Sequence, residues 1–441
     1  MSFTCDKQTL DDLNILGKYK PDSIYSLFGG VHTSGGEQLL DSLFRHPLTD
    51  PAEINRRSAL FRYFQDSVTA FPLDKEPLSV MENYLSTGGR GHWLGSVLQT
   101  GWKKLTNSIL RDETYSVIQD GLLSTIRILN SFGGFMGRLD ADGPYGEQVR
   151  KVGALLDDRR LEWIKEQRRF SWFNVARYDH LLRNVLQQEM KTLTDIIYHV
   201  DVCVAVGLVA RAKGFSYAHA QPKDRNMFRT TGLRHPCLEK AVANPLSLWG
   251  DSNMLFLTGA NMAGKSTFMK AFGLSVYLAH MGFPVAAEEM TFSVRDGIYS
   301  SINVPDNLSL GYSHFYAEVL RVKKVAEEVS GGKDLIVIFD ELFKGTNVKD
   351  AYDGTLAVSA AFSEYRNCMF ILSTHIIEVG EALRVGRPNL QVAYLPTFME
   401  GAVPRYTYRM QEGITSDRHG MMIIENEKII DIILSEGKVS N

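Results

Sequence analysis

A glycine-rich loop, bracketed by an apolar run and a predicted helix, constrains the fold of this chain more than any other feature. Residues 254–258 have the composition of a buried strand, and residues 259–266 fit the pattern GxxxxGK[ST] at each fixed position. In such a loop the glycines let the backbone approach a phosphate group, and successive N–H groups and the helix N-terminus face it. The helix is predicted to continue to about Met281. A chance glycine-rich turn is the alternative, but the order of strand, loop and helix favours an ATP-binding loop.

The residues of this loop have specific predicted roles. Lys265 is predicted to reach the β- and γ-phosphates of ATP and to serve catalysis, and the Ser266 hydroxyl is predicted to bind Mg²⁺. The predicted nucleotide-binding residues of the loop are Gly259, Ala260, Asn261, Met262, Ala263, Gly264, Lys265, Ser266 and Thr267.

Two further apolar runs end in polar side chains that suit ATP hydrolysis. Residues 335–339 lead into Asp340 and Glu341, and residues 369–372 are followed by a segment that contains His375. Asp340 is predicted to hold Mg²⁺, through water, and Glu341 to be the base that polarises the attacking water. His375 is predicted to contact the γ-phosphate or that water, although a lone histidine is more often structural. Because catalytic loops of parallel sheets lie at the carboxyl ends of the strands, we expect these motifs to lie together.

The pattern of predicted helices and strands indicates an α + α/β architecture. Short helices are predicted at 36–45 and 53–64, and a longer one at 112–130. A turn at Gly133 and Gly134 is predicted to interrupt the helical pattern after it, and a long helical tract follows at 155–213. After about residue 235, short apolar strands alternate with helices, which predicts a mostly parallel sheet with helices on its faces. The length of 441 residues favours more than one domain. We predict a helical domain at 1–225 and a P-loop NTPase domain, with a parallel sheet flanked by helices, at 226–441.

Composition limits the class of partner and the compartment. The net charge of −3 does not mark the whole molecule as a nucleic-acid binder, although a local basic groove stays possible. A basic run in the tract 155–213 alternates with glutamates, so a solvated helix face is favoured over a DNA contact. The four cysteines show no CxxC spacing, which favours core residues in a reducing compartment. Because we find neither a signal peptide nor an apolar run of about 20 residues, we expect a cytoplasmic protein without membrane contact.

These motifs together resemble those of the MutS family of DNA mismatch-repair ATPases. The family loop TGxNMxGKST is similar to residues 258–267, the segment DExxxGT to residues 340–346, and THxxE to residues 374–378. Residues 306–315 are similar to the family's signature loop, so the resemblance implies that Ser313 reaches the γ-phosphate bound by the partner in a dimer. A plain Gly/Ser loop is the alternative. Further resemblance at 24–57 implies the start of the family's helical core, or lever, domain.

Departures from the family pattern shape the expected function. The chain begins at the core, so we expect a short form that lacks the mismatch-recognition and connector domains. The Phe-x-Glu motif that reads mismatches in the family has two matches here, at 362–364 and 398–400. Both lie in the ATPase half, so we interpret them as chance matches. Where the family often stacks a Phe on adenine, this chain has Ala241 beside Val242. Tyr408, on a predicted late strand, is expected to supply the other stacking face.

The resemblance implies a MutS-like ATPase that acts on DNA as a homodimer. ATP binding and hydrolysis at composite dimer sites would gate structure-specific DNA binding in repair or recombination, without wedge-type mismatch reading. The alternative is an ABC-like, nucleotide-gated scaffold that controls a protein partner. An inactive ATPase fold is disfavoured, because each catalytic position of the motif set is present.

Overall fold

The structure is a computed structural model that describes residues 2–17, 20, 22–86, 110–165, 170–302, 314–400, 403–414 and 428–436. The α-helices in these ranges are α1 (Lys7–Asp12), α2 (Ile24–Phe28), α3 (Ser34–Arg45), α4 (Pro51–Ser67), α5 (Lys75–Ser86), α6 (Leu110–Met136), α7 (Gly146–Leu156), α8 (Trp172–His180), α9 (Gln187–Lys213), α10 (Lys265–His280), α11 (His314–Ser330), α12 (Val348–Phe362), α13 (Ile377–Arg384) and α14 (Ile429–Glu436).

The strands include several short edge and hairpin elements besides the longer core strands. They are β1 (Thr4–Cys5), β2 (Ser216–Tyr217), β3 (His219–Gln221), β4 (Met227–Leu233), β5 (Asn244–Trp249), β6 (Met254–Gly259), β7 (Pro284–Val285), β8 (Glu289–Ser293), β9 (Gly297–Ser301), β10 (Leu335–Asp340), β11 (Met369–Ser373), β12 (Leu390–Leu395), β13 (Thr397–Glu400), β14 (Val403–Tyr406) and β15 (Gln411–Glu412).

The chain divides into two compact units. The first contains residues 1–27, 46–58 and 213–441, and the second contains residues 28–45 and 59–212. These units differ from the predicted domains at 1–225 and 226–441. The N-terminal residues join the first unit because β1 pairs with β9, a contact between distant parts of the sequence that no local pattern reveals.

A mostly parallel sheet forms the centre of the first unit. Its strand order is β1-β9-β10-β11-β6-β12-β15, and its pairs are parallel except for β12 with β15. The core strands β6, β10 and β11 are continuous apolar runs that are buried almost throughout, as expected for strands covered on both faces. The predicted strands at 254–258, 335–339 and 369–372, the parallel sheet and the mixture of helices and strands are therefore confirmed.

The first unit also contains a second sheet, of four strands. Its order is β3-β8-β4-β5, and β4 is antiparallel to both of its neighbours. The loop from β4 to β5 spans residues 234–243, and β5 leads directly towards β6. This sheet therefore brings the 234–243 loop close to the phosphate loop.

The described residues of the second unit lie mainly in helices. The predicted helices at 36–45 and 53–64 are confirmed as α3 and α4, and the helix predicted at 112–130 lies within α6. The predicted turn at Gly133 and Gly134 is wrong, because α6 continues to Met136. Phe132 and Phe135 are buried, and their packing outweighs the helix-breaking tendency of glycine, about 1 kcal/mol per residue.

The predicted helical tract at 155–213 is interrupted. After α7 the described chain forms a 3₁₀ helix at Arg159–Lys165, then α8, a π-helical turn at Leu181–Val185, and α9. Arg159, Arg160 and Lys165 are exposed, and Arg160 pairs with Asp158 at 2.7 Å. The exposure agrees with the predicted solvated face, whereas Arg168 and Arg169 lie outside the described residues.

Helix α9 is a longer apolar segment than the sequence analysis predicted anywhere in the chain. By these two criteria alone it could cross a membrane, with a mean hydropathy of 1.7 in its most apolar window. Two-thirds of that window (67%) is buried inside the protein, as in the core helix of a folded domain. Asp201 within it is fully buried and accepts hydrogen bonds from the backbone N–H groups of His32 and Thr33, at 2.9 and 2.7 Å.

Candidate nucleotide site

The phosphate loop joins the carboxyl end of β6 to the first residue of α10. Gly259 has a φ of +144° and Gly264 a φ of +102°, conformations that favour glycine. A Cβ at Gly264 would lie 3.0 Å from Cδ1 of Tyr408, and one at Gly259 would lie 3.1 Å from the carbonyl oxygen of Leu395. Both glycines are therefore required by backbone shape and by the lack of space.

Lys265 lies inside this loop and is almost fully buried, with 4% of its surface exposed. Its ammonium group donates hydrogen bonds to the carbonyl oxygens of Gly259 at 2.8 Å and Ala260 at 3.2 Å. Burial lowers the pKa of Lys265, while Glu341 and Asp340 act in the opposite direction. The site thus holds a desolvated cation next to the loop, where an anionic ligand is favoured.

Asp340 links two neighbouring strands to the start of α10. The hydroxyl of Ser266 donates to Oδ2 of Asp340, and the hydroxyl of Ser373 donates to Oδ1. Asp340 ends β10 and Ser373 ends β11, in direct register with each other. Ser373 was not among the predicted site residues; its position one residue before the Thr-His pair is the signal that could have found it.

Glu341 and His375 form the second polar pair. Oε1 of Glu341 lies 2.5 Å from Nε2 of His375, and the backbone N–H of Glu341 donates to the carbonyl oxygen of Ser373 at 3.0 Å. The hydrogen bond from His375 lowers the pKa of Glu341, against the effect of burial. Glu341 is therefore held as an anion at the carboxyl end of the sheet.

The segment after Glu341 has an unusual backbone. Glu341 and Phe343 adopt positive φ angles of +56° and +62°, which non-glycine residues rarely adopt. Phe343 is buried and packs edge-on against Phe315 of α11, with 6.0 Å between the ring centroids. Gly345 lies close to the same residue, since a Cβ there would be 3.0 Å from the backbone nitrogen of Phe315. The start of α11 therefore supports the segment that carries Glu341.

Asn244 organises the opposite wall of the site. Its side-chain amide donates to the carbonyl oxygens of Tyr408 at 2.9 Å and Val242 at 3.4 Å, and its Oδ1 accepts from the N–H of Met410 at 2.7 Å. The predicted strand at Tyr408 is wrong: β14 ends at Tyr406, and Tyr408 has a left-handed φ of +56°. Asn244 was not among the predicted site residues, because its contacts with Tyr408 and Met410 join distant parts of the sequence.

A cavity of about 400 Å³ joins these groups. It extends from the phosphate loop to the wall formed by the 234–243 loop and Tyr408. The predicted site residues that line it are Val242, Ala260, Asn261, Met262, Gly264, Lys265, Ser266, Thr267, Glu341 and Tyr408. Of the others, Gly259 and Ala263 belong to the same loop, Asp340 contacts Ser266, and His375 contacts Glu341. Ser313 lies outside the described residues.

The residues of this cavity fit ATP and Mg²⁺. The glycine backbone leaves space that a Cβ would fill, and the buried ammonium group of Lys265 provides the charge for a phosphate. The Ser266 hydroxyl and the Asp340 carboxylate are hard oxygen donors, the type that Mg²⁺ prefers. At the far end Tyr408 is 44% exposed and offers a ring face to a planar base.

Residues 255–439 match the family model of MutS domain V. This domain is the nucleotide-binding ATPase domain of DNA mismatch-repair proteins, so the match supports a MutS-family protein with ATPase activity. The matched range contains the whole phosphate loop, from Gly259 to Thr267, and Asp340, Glu341, His375 and Tyr408.

Proposed function

We propose that this chain is a MutS-like, Mg²⁺-dependent ATPase whose nucleotide state controls DNA binding in a homodimer. The observation that carries this proposal is the convergence of Lys265, the Ser266–Asp340 pair and the Glu341–His375 pair on one cavity, within the range that matches MutS domain V.

Binding of ATP would change the partners of Lys265. The ammonium group donates to two loop carbonyl oxygens, and a triphosphate would offer it anionic oxygens instead. The donor is ionised in both cases, but phosphate oxygens also carry negative charge, so the exchange adds an attraction between opposite charges and favours the bound state. Ser266 and Asp340 would hold Mg²⁺, which when bound offsets the negative charge of the phosphates.

Glu341 would act as the base for hydrolysis. Its carboxylate is kept ionised by His375, so it can orient a water molecule and accept a proton as the water oxygen bonds to the γ-phosphorus. The bond from that phosphorus to the bridging oxygen breaks, leaving ADP and phosphate. His375 would keep the carboxylate oriented and stabilise its charge.

DNA binding is the part of this proposal that follows from the family resemblance. We propose contacts to the phosphate backbone, so the affinity should fall steeply as salt is added. Of the two Phe-x-Glu matches, Phe362 is buried at 4% exposure, which prevents its insertion into a duplex, whereas Phe398 is 56% exposed. Both matches lie in the ATPase half of the chain, so we propose recognition of DNA structure, with Ser313 completing the partner's nucleotide site.

The ATPase rate, measured with and without DNA, tests the proposal. Wild-type protein should hydrolyse ATP, Glu341→Gln should lose at least about a hundredfold in rate while keeping ATP binding, and linear, mismatched or four-way DNA should change the rate. Full turnover by Glu341→Gln would remove the base assignment. If none of the DNAs binds or changes the rate, the DNA role is wrong.

A second candidate is a nucleotide-gated scaffold that controls a protein partner. The near-neutral net charge of −3 favours it over a general nucleic-acid binder. In that case ATP hydrolysis by the wild type would persist, DNA would have no effect on it, and nucleotide would change binding to a protein.

A further inference from the structure

The N-terminal residues of the first unit pack against one edge of its main sheet. β1 pairs with β9 in parallel register, Thr4 opposite Gly297 and Cys5 opposite Ile298. The two strands approach closely at Gly297, where a Cβ would lie 2.3 Å from the carbonyl oxygen of Thr4. We call residues 3–15 the N-terminal clasp.

The clasp holds the carboxyl end of β9 through two buried side chains. Oδ2 of Asp12 accepts hydrogen bonds from the Ser300 hydroxyl at 2.7 Å and from the backbone N–H of Ile302 at 2.9 Å. Oγ1 of Thr9 accepts from the N–H of Ser300 at 3.0 Å. Asp12 is 4% exposed and Thr9 is fully buried. The buried Asp12 carboxylate fixes the end of β9, because loss of either donor would leave a polar group that is desolvated and unpaired.

The clasp also holds α11 by charge. Arg321, which is 5% exposed, donates to both carboxylate oxygens of Asp6, and Lys324 lies 2.7 Å from Oδ2 of the same residue. Arg321 also donates to Oγ1 of Thr9 at 3.0 Å and, through Nε, to the carbonyl oxygen of Ser300 at 3.0 Å. Burial opposes ionisation of Asp6, but the hydrogen bonds from Arg321 and Lys324 outweigh it and hold its pKa below the usual range.

Helix α11 connects this network to the catalytic segment. Arg321 lies six residues after Phe315, about 9 Å along a helix at 1.5 Å per residue. Phe315 packs against Phe343 and close to Gly345, just after Glu341. Val322 and Val325 on the same helix are buried in the core, so α11 is a packed, rigid element between the two contacts.

We propose that the N-terminal clasp is a positioning element for ATP hydrolysis: by fixing α11 through Asp6 and Arg321, it holds Phe315 against the segment that carries Glu341. No residue of the clasp is among those that line the nucleotide cavity, so it acts on the orientation of the base and not on nucleotide binding. This inference rests on the proposed ATPase function.

Kinetics of clasp variants test the inference. Asp6→Asn keeps the cap of α1, since Asn also accepts from the N–H of Thr9, but removes the charge that holds Arg321. We expect kcat to fall about tenfold with an unchanged dissociation constant for ATP. Lys324→Met, at a half-exposed position that tolerates change, should lower kcat by about threefold, in the range of one exposed ion pair.

Matched controls come from neighbouring residues. Lys323→Met alters the residue just before Lys324 on α11, whose amine lies 3.9 Å from Oε1 of Glu327. Asp11→Asn alters an exposed carboxylate of α1. Both variants should keep the wild-type kcat. Phe315→Leu should lower kcat by itself and add little to Asp6→Asn, because the two act on one element. Additive losses in the double variant would overturn the route through α11.

The outcomes separate the clasp from the ATPase assignment. If wild type hydrolyses ATP and Glu341→Gln does not, while Asp6→Asn and Lys324→Met match their controls, the clasp inference is wrong and the ATPase function stands. A parallel loss of ATP affinity, kcat and thermal stability would make the clasp a purely structural element. Absence of hydrolysis in the wild type would remove both proposals.

Discussion

Oε1 of Glu341 lies 2.5 Å from Nε2 of His375 across the carboxyl ends of two paired strands, β10 and β11. The hydrogen bond from His375 lowers the pKa of Glu341, and burial acts in the opposite direction. The ionisation of the proposed base therefore depends on a histidine contributed by the neighbouring strand.

Removal of His375 should change the pH dependence of hydrolysis. In the wild type the depressed pKa keeps Glu341 ionised as pH falls through the usual range of a glutamate, so activity should be lost only below it. In His375→Ala burial is opposed only by the charges of Lys265 and Lys344, so the pKa of Glu341 should rise. We expect the acid limb of the kcat profile to move to higher pH. The exposed His219→Ala serves as a control, and an unmoved acid limb in His375→Ala would contradict the prediction.

Substitution of Lys265 should separate nucleotide binding from folding. Lys265→Met removes a buried cation whose desolvation opposes its two hydrogen bonds, so the ligand-free protein should keep its melting temperature within a few degrees. Wild-type protein should melt at a higher temperature with ATP, because ligand binding stabilises the folded state. The variant should lose at least about tenfold in affinity, or 1.4 kcal/mol, and with it most of that rise.

The half-buried Lys270, on the same helix but outside the cavity lining, gives the matched control. Lys270→Met should retain the ATP-dependent rise in melting temperature. A rise of wild-type size in Lys265→Met would show that the loop does not hold the phosphates through this amine.

Local signals predicted the catalytic edge of the sheet. Strands β6, β10 and β11 are continuous apolar runs, and the loop glycines adopt the backbone shape that their residue type favours. These features depend on residues that are close in sequence. They allow the phosphate loop, Asp340 and Glu341 to be located without knowledge of the fold.

Contacts between distant residues could not be predicted in this way. Asn244 meets Tyr408 after 164 residues, and Asp12 meets Ile302 after 290. No local pattern pairs Asn244 or Asp12 with its partner, because the two residues of each pair meet only through the pairing of β1 with β9 or the path of the chain after β12. The turn predicted at Gly133 and Gly134 was wrong because the packing of α6 outweighs the local tendency of glycine to break a helix.

Asn244 is expected to support both folding and nucleotide binding. Asn244→Ala leaves the N–H of Met410 and the carbonyl oxygen of Tyr408 without their side-chain partners at a site that is 5% exposed. The free energy of unfolding should fall by about 1–3 kcal/mol, and ATP affinity should fall as the Tyr408 wall loosens. Urea denaturation and an ATP titration measure the two effects.

Asn253 offers a control of the same chemistry. It is fully buried, and its side-chain amide donates to the carbonyl oxygens of Tyr365 at 3.0 Å and Cys368 at 2.7 Å, away from the cavity. Asn253→Ala should lose a similar amount of stability with unchanged ATP affinity. Equal affinity losses in the two variants would mean that Asn244 acts only through global stability.

Gly264→Ala should disable the phosphate loop through shape alone. The φ of +102° strains any L-residue, and the added Cβ would lie 3.0 Å from Cδ1 of Tyr408. The phosphate loop and Tyr408 must therefore both shift. Strain of this kind costs about 1–3 kcal/mol, and ATP affinity should fall by about tenfold or more because the backbone N–H groups lose their alignment. Gly386→Ala provides the comparison, since Gly386 has a φ of +81° with open space where a Cβ would lie. That variant should lose stability and keep wild-type ATP binding, so a Gly264→Ala protein that binds ATP equally well would refute the need for a close backbone approach at this position.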